Sequence, residues 1–184
     1  MAAGICVTRA IGRISPPAQL AVWGVLALLC AALTGCAPSY ETTPTSTRVT
    51  LGGRVFTLEL AMDTASREKG LSGRTEIPVE GGMLFIFPDR GVRVQEFVMR
   101  DCRIDIDIIF LDRARRVTAM HAMKVEPPRE ATESLAEYNN RLRRYSSRFD
   151  AQYAIELRGG TLESLGLKPG QLIDLDPTLA ARAR

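Results

Sequence analysis

The stretch RIDIDIIFLD, residues 103–112, sets Asp105 and Asp107 one residue apart in an otherwise apolar run. Two carboxylates at that spacing could hold a cation or divide the work of an acid and a base. In a strand, side chains two apart share a face. Arg103, Asp105 and Asp107 then lie with Ile109 and Leu111, while Ile104, Ile106, Ile108 and Phe110 line the other side. Calcium takes about six to eight oxygens, commonly from a loop with a sharp Gly turn, and a strand offers neither. Zinc cannot be completed from His121 and Cys102. No metal and no cofactor is therefore expected. Gly70-Leu71-Ser72-Gly73 falls one residue short of a nucleophile elbow, and a Ser-His-Asp triad would need His121, the single histidine. His121 alternates with Val117, Ala119 and Met123 and is expected to pack in the core. Cys102 would be reactive if Arg100 or Arg103 lowered its pKa, but it shares a face with Ile104 and Ile106 and is expected to be buried.

The elements that must position these residues are mostly short strands with Gly and Pro between them. VTLGGRVFTLEL predicts a hairpin around Gly52-Gly53. Asp63 and Thr64 can cap a short helix that stops at Gly70. Further strands are expected at 83–87, 92–99, 104–111, 117–123, 153–157 and 171–175. This pattern predicts an all-β fold, a compact β-sandwich or barrel with small peripheral helices. One segment breaks it. After Pro127-Pro128, residues Ala131, Leu135, Tyr138, Leu142 and Tyr145 are spaced four, three, four and three apart. That predicts a longer inserted helix near 129–145 whose apolar stripe packs on the sheet.

The N-terminus carries its own message. Arg9 and Arg13 precede an apolar run from Ala21 to Leu33, followed by Leu33-Thr34-Gly35-Cys36. A basic start, a short apolar core and small residues at the cut make a secretory signal. The final four residues look like a bacterial lipobox, with Cys36 as the lipidated residue. The expected organisation is a lipoprotein signal peptide at 1–35, a flexible tether at 36–47, a single β-domain at 48–177 and a C-terminal tail at 178–184. The tether's end-to-end span would be on the order of 20 Å. The expected location is the cell envelope, lipid-anchored to the outer membrane and facing the periplasm. Of 24 Lys+Arg and 21 Asp+Glu, the signal holds two arginines and no acids, which leaves 22 against 21. Near-neutral charge gives no reason to expect nucleic acid as a partner. Cys6 and Cys30 leave with the signal, so Cys102 is the only thiol of the folded part and no internal disulfide is available.

REKGLSGRTEIP (67–78), GGMLFIFPD (81–89), FVMRDCRIDIDIIFLD (97–112), YAIELRGG (153–160) and LGLKPGQLIDL (165–175) together resemble the bacterial and archaeal DUF-192 family. The resemblance implies a β-sandwich or barrel and no particular reaction. It is carried by Gly70, Leu71, Gly73, Arg74, Gly82, Met83, Leu84, Phe85, Met99 and Asp107. Val98 stands where the family usually has tryptophan, and Arg100-Asp101-Cys102 where it has Lys-Asn-Thr. Asp105, outside that pattern, is expected to be a solvated edge carboxylate. Asp107, where its face turns apolar, needs a partner. Arg74 is expected to supply it as a structural lock, with Arg100 as runner-up, and Arg74, Met99, Arg100 and Asp107 are the expected pocket or lock residues.

With no complete catalytic set, the expected function is a non-catalytic module binding a small molecule, glycan or envelope protein and held to the membrane by its lipid anchor. One alternative is a protein-interaction module docking through the 129–145 helix. The other is a hydrolase or lyase using Asp107 or Asp105 with His121.

Overall fold

Gly52-Gly53 sets the first hairpin. In the computed structural model, which describes residues 45–184, β1 (Ser46–Leu51) and β2 (Arg54–Ala61) pair antiparallel with Leu51 opposite Arg54. The two turn glycines have φ of 55° and 79°, the left-handed pair that a type I′ hairpin needs and that Cβ-bearing residues resist. β3 (Gly81–Ile86) runs parallel to β2, so the chain must cross over between them. The crossover contains α1 (Thr64–Lys69), started by a capping box in which the Asp63 carboxylate accepts from the Ser66 amide at 2.9 Å.

β5 (Ile106–Leu111), β6 (Val117–Met123) and β8 (Tyr153–Arg158) complete a six-stranded sheet of order β1-β2-β3-β8-β5-β6. β4 (Arg93–Phe97) and β7 (Tyr145–Ala151) form a separate two-stranded ribbon, with β7 packed against β6 and β5. The all-β class holds. The strands at the sheet centre are buried on both sides, which explains why GGMLFI and IDIIFL are nearly continuous apolar runs. On one face Phe56, Ile109, Leu111, Ile155 and Leu157 meet Leu165, Ile173, Leu175 and Leu179 from the C-terminal stretch. On the other, Phe85, Ile106, Ile108 and Phe110 meet Leu71, Ile77 and Met99 from the loops and Tyr145 and Ala151 from the ribbon.

Three expectations need correction. The helix near 129–145 shrinks to α2 (Leu135–Arg141), because Ser134 caps it with Glu137 in a second capping box and Leu142 is already extended. Tyr145 belongs to β7, where pairing with Phe97 supersedes the helical spacing. Tyr138, Leu142 and Tyr145 are buried, but Leu135 is 59% exposed, so only part of the stripe packs inward. Second, a bulge between Phe110 and Leu111 leaves Thr118 unpaired in β6. Val117 therefore turns to the Leu111 face, away from Ala119 and Met123. Third, the strand at 171–175 is reduced to one bridge, Arg116 to Leu172. β1 begins at Ser46, and α3 (Leu162–Leu165) is followed by α4 (Leu179–Arg182), whose Leu179 is buried in the core. The signal peptide and Cys36, with the tether up to residue 44, lie outside the described residues.

Candidate functional site

The opening aspartates separate cleanly. Asp107 is 1% exposed and points to the Ile109/Leu111 face. Its Oδ2 accepts the Leu162 amide at 2.8 Å. Burial pushes its pKa up, and the amides of Leu162, Gly160 and Thr161 pull it partly back. The partner it needed is thus the backbone at the start of α3. The expected Asp107–Arg74 lock is not formed. Arg74 instead makes a bidentate pair with Glu59, both contacts 2.7 Å, because the 70–74 loop lies over the β2 and β3 side of the sheet. Asp105 is a half-exposed edge carboxylate, as expected, and it has partners: Lys124 Nζ at 2.8 Å and the Val125 amide at 2.9 Å. These contacts hold its pKa below the usual carboxylate range.

His121 sits opposite Ile108 on the other face of the sheet from Asp107. Its Nε2 donates to the Ser146 carbonyl at 2.8 Å, and its ring lies between Phe110 and Tyr145. It is a packed histidine, and an Asp107–His121 acid–base pair is not assembled. Asp105 is spent on Lys124 and Val125. Among the described residues no group of three or more His, Cys, Asp or Glu is placed to hold a metal.

A different acid occupies the centre. Glu156 lies in β8 between Met83 of β3 and Ile108 of β5, and it is 6% exposed. Its Oε2 is buried without a hydrogen-bond partner. Burial raises its pKa to about 7, and the Leu71 amide and Arg74 guanidinium offset only part of that. The loop after α1 closes over it. Gly70 has φ 49°, and a Cβ there would meet the Phe85 ring at 3.1 Å and Glu156 Oε2 at 3.4 Å. Ser72 Oγ donates to the Arg100 carbonyl at 3.0 Å and the Gly73 amide to the Asp101 carbonyl at 3.0 Å, stapling this loop to residues 100–101. Cys102 is half-buried beside them. Burial first, then the Glu156 charge, pushes its thiol up to about 11. It is protonated at neutral pH, and neither Arg100 nor Arg103 activates it.

Beside the same loop opens a cleft of about 570 Å³ between α1, the 85–91 segment and β4. Ser72, Phe85 and Arg100 belong to its wall, and Phe87 and Phe97 add aromatic surface. Phe97 meets Phe85 edge-on at 5.1 Å. Arg67 braces the wall, donating to the Ile86 carbonyl at 3.0 Å and to a main-chain oxygen of Arg184 at 2.6 Å.

The family model DUF192, described as "Uncharacterized ACR", matches residues 47–175. The chain belongs to this family. Among solved structures it is similar to a protein of unknown function from Novosphingobium aromaticivorans DSM 12444. That match is 30% identical with TM-score 0.56 and covers 71% of this chain and 85% of the other. It is also similar to a protein of Sinorhizobium meliloti 1021 described as a candidate transcription regulator. Here the identity is 28% and the TM-score 0.54, covering 69% of this chain and 89% of the other. No curated relative matches.

Of the residues that carry the DUF192 pattern, Gly70, Leu71, Met83, Phe85 and Met99 gather on the face of Glu156. Met99 is core, Arg100 lines the cleft, Arg74 holds Glu59, and Asp107 is on the opposite face. The four expected site residues therefore do not converge. Sequence reasoning missed Glu156, although one acid among Tyr153–Leu157 is the same signal that singled out Asp107. It also missed Arg90, Arg93, Phe87 and Phe97, for which only the fold gives a reason to look.

Proposed function

We propose that this DUF192 protein is a lipid-anchored envelope module that binds a ligand in the cleft between α1 and β4 without catalysing a reaction on it. The observation that carries the reading is the cleft itself, a concavity of about 570 Å³ in which Phe85, Phe87 and Phe97 stand among mostly polar and charged side chains, beside the loop that carries the family pattern. A volume of that size suits a small organic molecule or the end of a polymer. The absence of an assembled acid–base pair between His121 and either aspartate supports binding over hydrolysis. The buried Tyr138 and Leu142 leave the α2 stripe too little exposed surface to favour docking through it.

Two measurements test this proposal. A thermal-shift screen of envelope metabolites and glycans should yield ligands whose effect is lost in Phe87→Ser, which removes an aromatic side chain from the cleft wall. Ligands that stabilise both proteins equally would place binding elsewhere. For the anchor, mass spectrometry of the membrane fraction should find Cys36 as a diacylglyceryl-modified N-terminus. A soluble mature protein with an unmodified Cys36 would refute the anchored reading.

A further inference from the structure

The cleft's charges are unevenly matched. Arg67, Arg90, Arg93, Arg100 and Arg184 line it, against Glu68 and Glu96. Glu96 is 4.0 Å from Arg144, just before β7, so its charge is partly matched from outside the cleft. Asp89, next to Arg90 in sequence, is likewise engaged: its carboxylate is 3.5 Å from Arg113 and accepts from Gln152 Nε2 at 3.0 Å. Arg67 is tied to two main-chain oxygens and packs over the Phe87 ring at 5.9 Å. Among the described residues, Arg90, Arg93 and Arg100 have no carboxylate within salt-bridge distance. Other arginines of the domain, such as Arg103, Arg148 and Arg158, also lack a carboxylate partner, so what sets these three guanidiniums apart is that they line one cleft.

Resting on the reading that the cleft binds a ligand, we propose that the ligand is an organic oxyanion. Its phosphate or carboxylate would be taken by Arg90, Arg93 and Arg100, and its apolar or aromatic body would lie against Phe87 and Phe97. Guanidinium forks recognise such oxyanions through charge-assisted, frequently bidentate hydrogen bonds. Low-dielectric walls on one side of a charged cleft strengthen those bonds relative to open water. The aromatic surface adds affinity that a bare ion would not gain, so an amphiphilic anion should outcompete inorganic phosphate. The same chemistry could reach the cleft as a free metabolite or as the headgroup of a membrane lipid beneath the anchored domain.

The test titrates the protein with phenyl phosphate, inorganic phosphate, phenol and neutral sugars, following backbone amide shifts of Phe87, Phe97 and Arg100 by NMR. A parallel arm uses vesicles of phosphatidylglycerol or phosphatidylcholine. The variant is Arg90→Gln/Arg93→Gln/Arg100→Gln. It leaves the bracing Arg67 in place, and its fold is checked by thermal melting. Phenyl phosphate should bind at least tenfold tighter than phenol or inorganic phosphate, weaken as salt rises, and lose at least tenfold in the variant. Selective binding to phosphatidylglycerol vesicles, lost in the variant, would identify a headgroup as the source; phenyl phosphate binding without vesicle binding would identify a free anion. Equal binding of phenol and phenyl phosphate, or an unaffected folded variant, would overturn the inference. Neutral sugars shifting the cleft while phenyl phosphate does not would overturn it and leave the cleft reading standing. Silence from every probe, together with an empty thermal-shift screen, would overturn both.

Discussion

Glu156 is the acid most perturbed by the fold, because a carboxyl buried beside Phe85 and Met83 favours its neutral form. Its folded pKa is about 7 against an ordinary 4.5. Between those values the native state holds a proton that the unfolded chain releases. Stability should therefore fall as pH rises from about 4.5 to 7 and level off above. Arg74 and Cys102 are the other titratable groups facing it. At the ordinary worth of a pKa unit, the whole drop is about 3 kcal/mol. Glu156→Gln keeps the shape and removes the charge, so its advantage over the native protein should be small at pH 4 and grow to that order at pH 8. Urea midpoints at both pH values check this; a difference that does not grow would mean that water reaches the carboxylate. Asp107 gives a second prediction. Asp107→Asn puts an amide N–H where backbone donors converge and should cost about 1–3 kcal/mol. Because Arg74 serves Glu59, the double mutant Asp107→Asn/Arg74→Gln should be additive to within about 0.5 kcal/mol in chemical denaturation. The need for a partner at Asp107 was legible in RIDIDIIFLD. The partner's identity was not, since the Gly160–Leu162 amides reach it through tertiary folding alone.

At the level of elements, period two in Val117–Met123 and Tyr153–Leu157 and the Gly52-Gly53 turn were enough to place most of the sheet. Where the reading failed, two signals overlapped. Tyr138, Leu142 and Tyr145 have helical spacing, yet only Tyr138 lies within α2, and Tyr145 extends into β7 to pair with Phe97. Nothing local distinguishes an apolar residue that closes a helix from one that opens a strand. A distant strand partner, Phe97, decides it. The bulge at Thr118 was hidden for the same reason, because an alternating pattern does not show where one residue is skipped. The shortened α2 should depend on its cap more than on its length. Ser134→Ala, removing the acceptor for the Glu137 amide at 3.2 Å, should cost about 1 kcal/mol. Leu142→Ala should cost about 2–5 kcal/mol as a core truncation. Leu135→Ser, at an exposed position, should stay within about 0.5 kcal/mol. Thermal melts of the three rank them; a large loss at Leu135 would mean that this side chain is covered in the native protein.

Across the whole molecule, two apolar layers share one sheet. β3, β8 and β5 send alternate side chains into both layers, so unfolding either layer strips the other of its partner. The β4–β7 ribbon is different. It is paired only with itself and joins the domain through packing on one face, and an isolated two-stranded sheet is marginal in water. Its β7 carries a left-handed Arg148 with φ 64°, and its pairing breaks register between Val94 and Glu96. In native-state hydrogen exchange, β3, β5 and β8 should therefore open only with global unfolding, while β4 and β7 exchange through a smaller opening. The cleft makes this difference functional. Its walls come from both parts: α1 and Phe85 belong to the main sheet and its crossover, whereas Arg93, Gln95 and Phe97 belong to the ribbon. An occupant touching both must add its binding energy to the ribbon's attachment, because it binds the closed arrangement and not the open one. Saturating phenyl phosphate should thus slow exchange in Arg93–Phe97 and Tyr145–Ala151 well before it affects Tyr153–Arg158. Protection that rises equally in all three segments would show that ribbon and sheet open as one unit, and a ligand bound there would then stabilise the fold without closing anything.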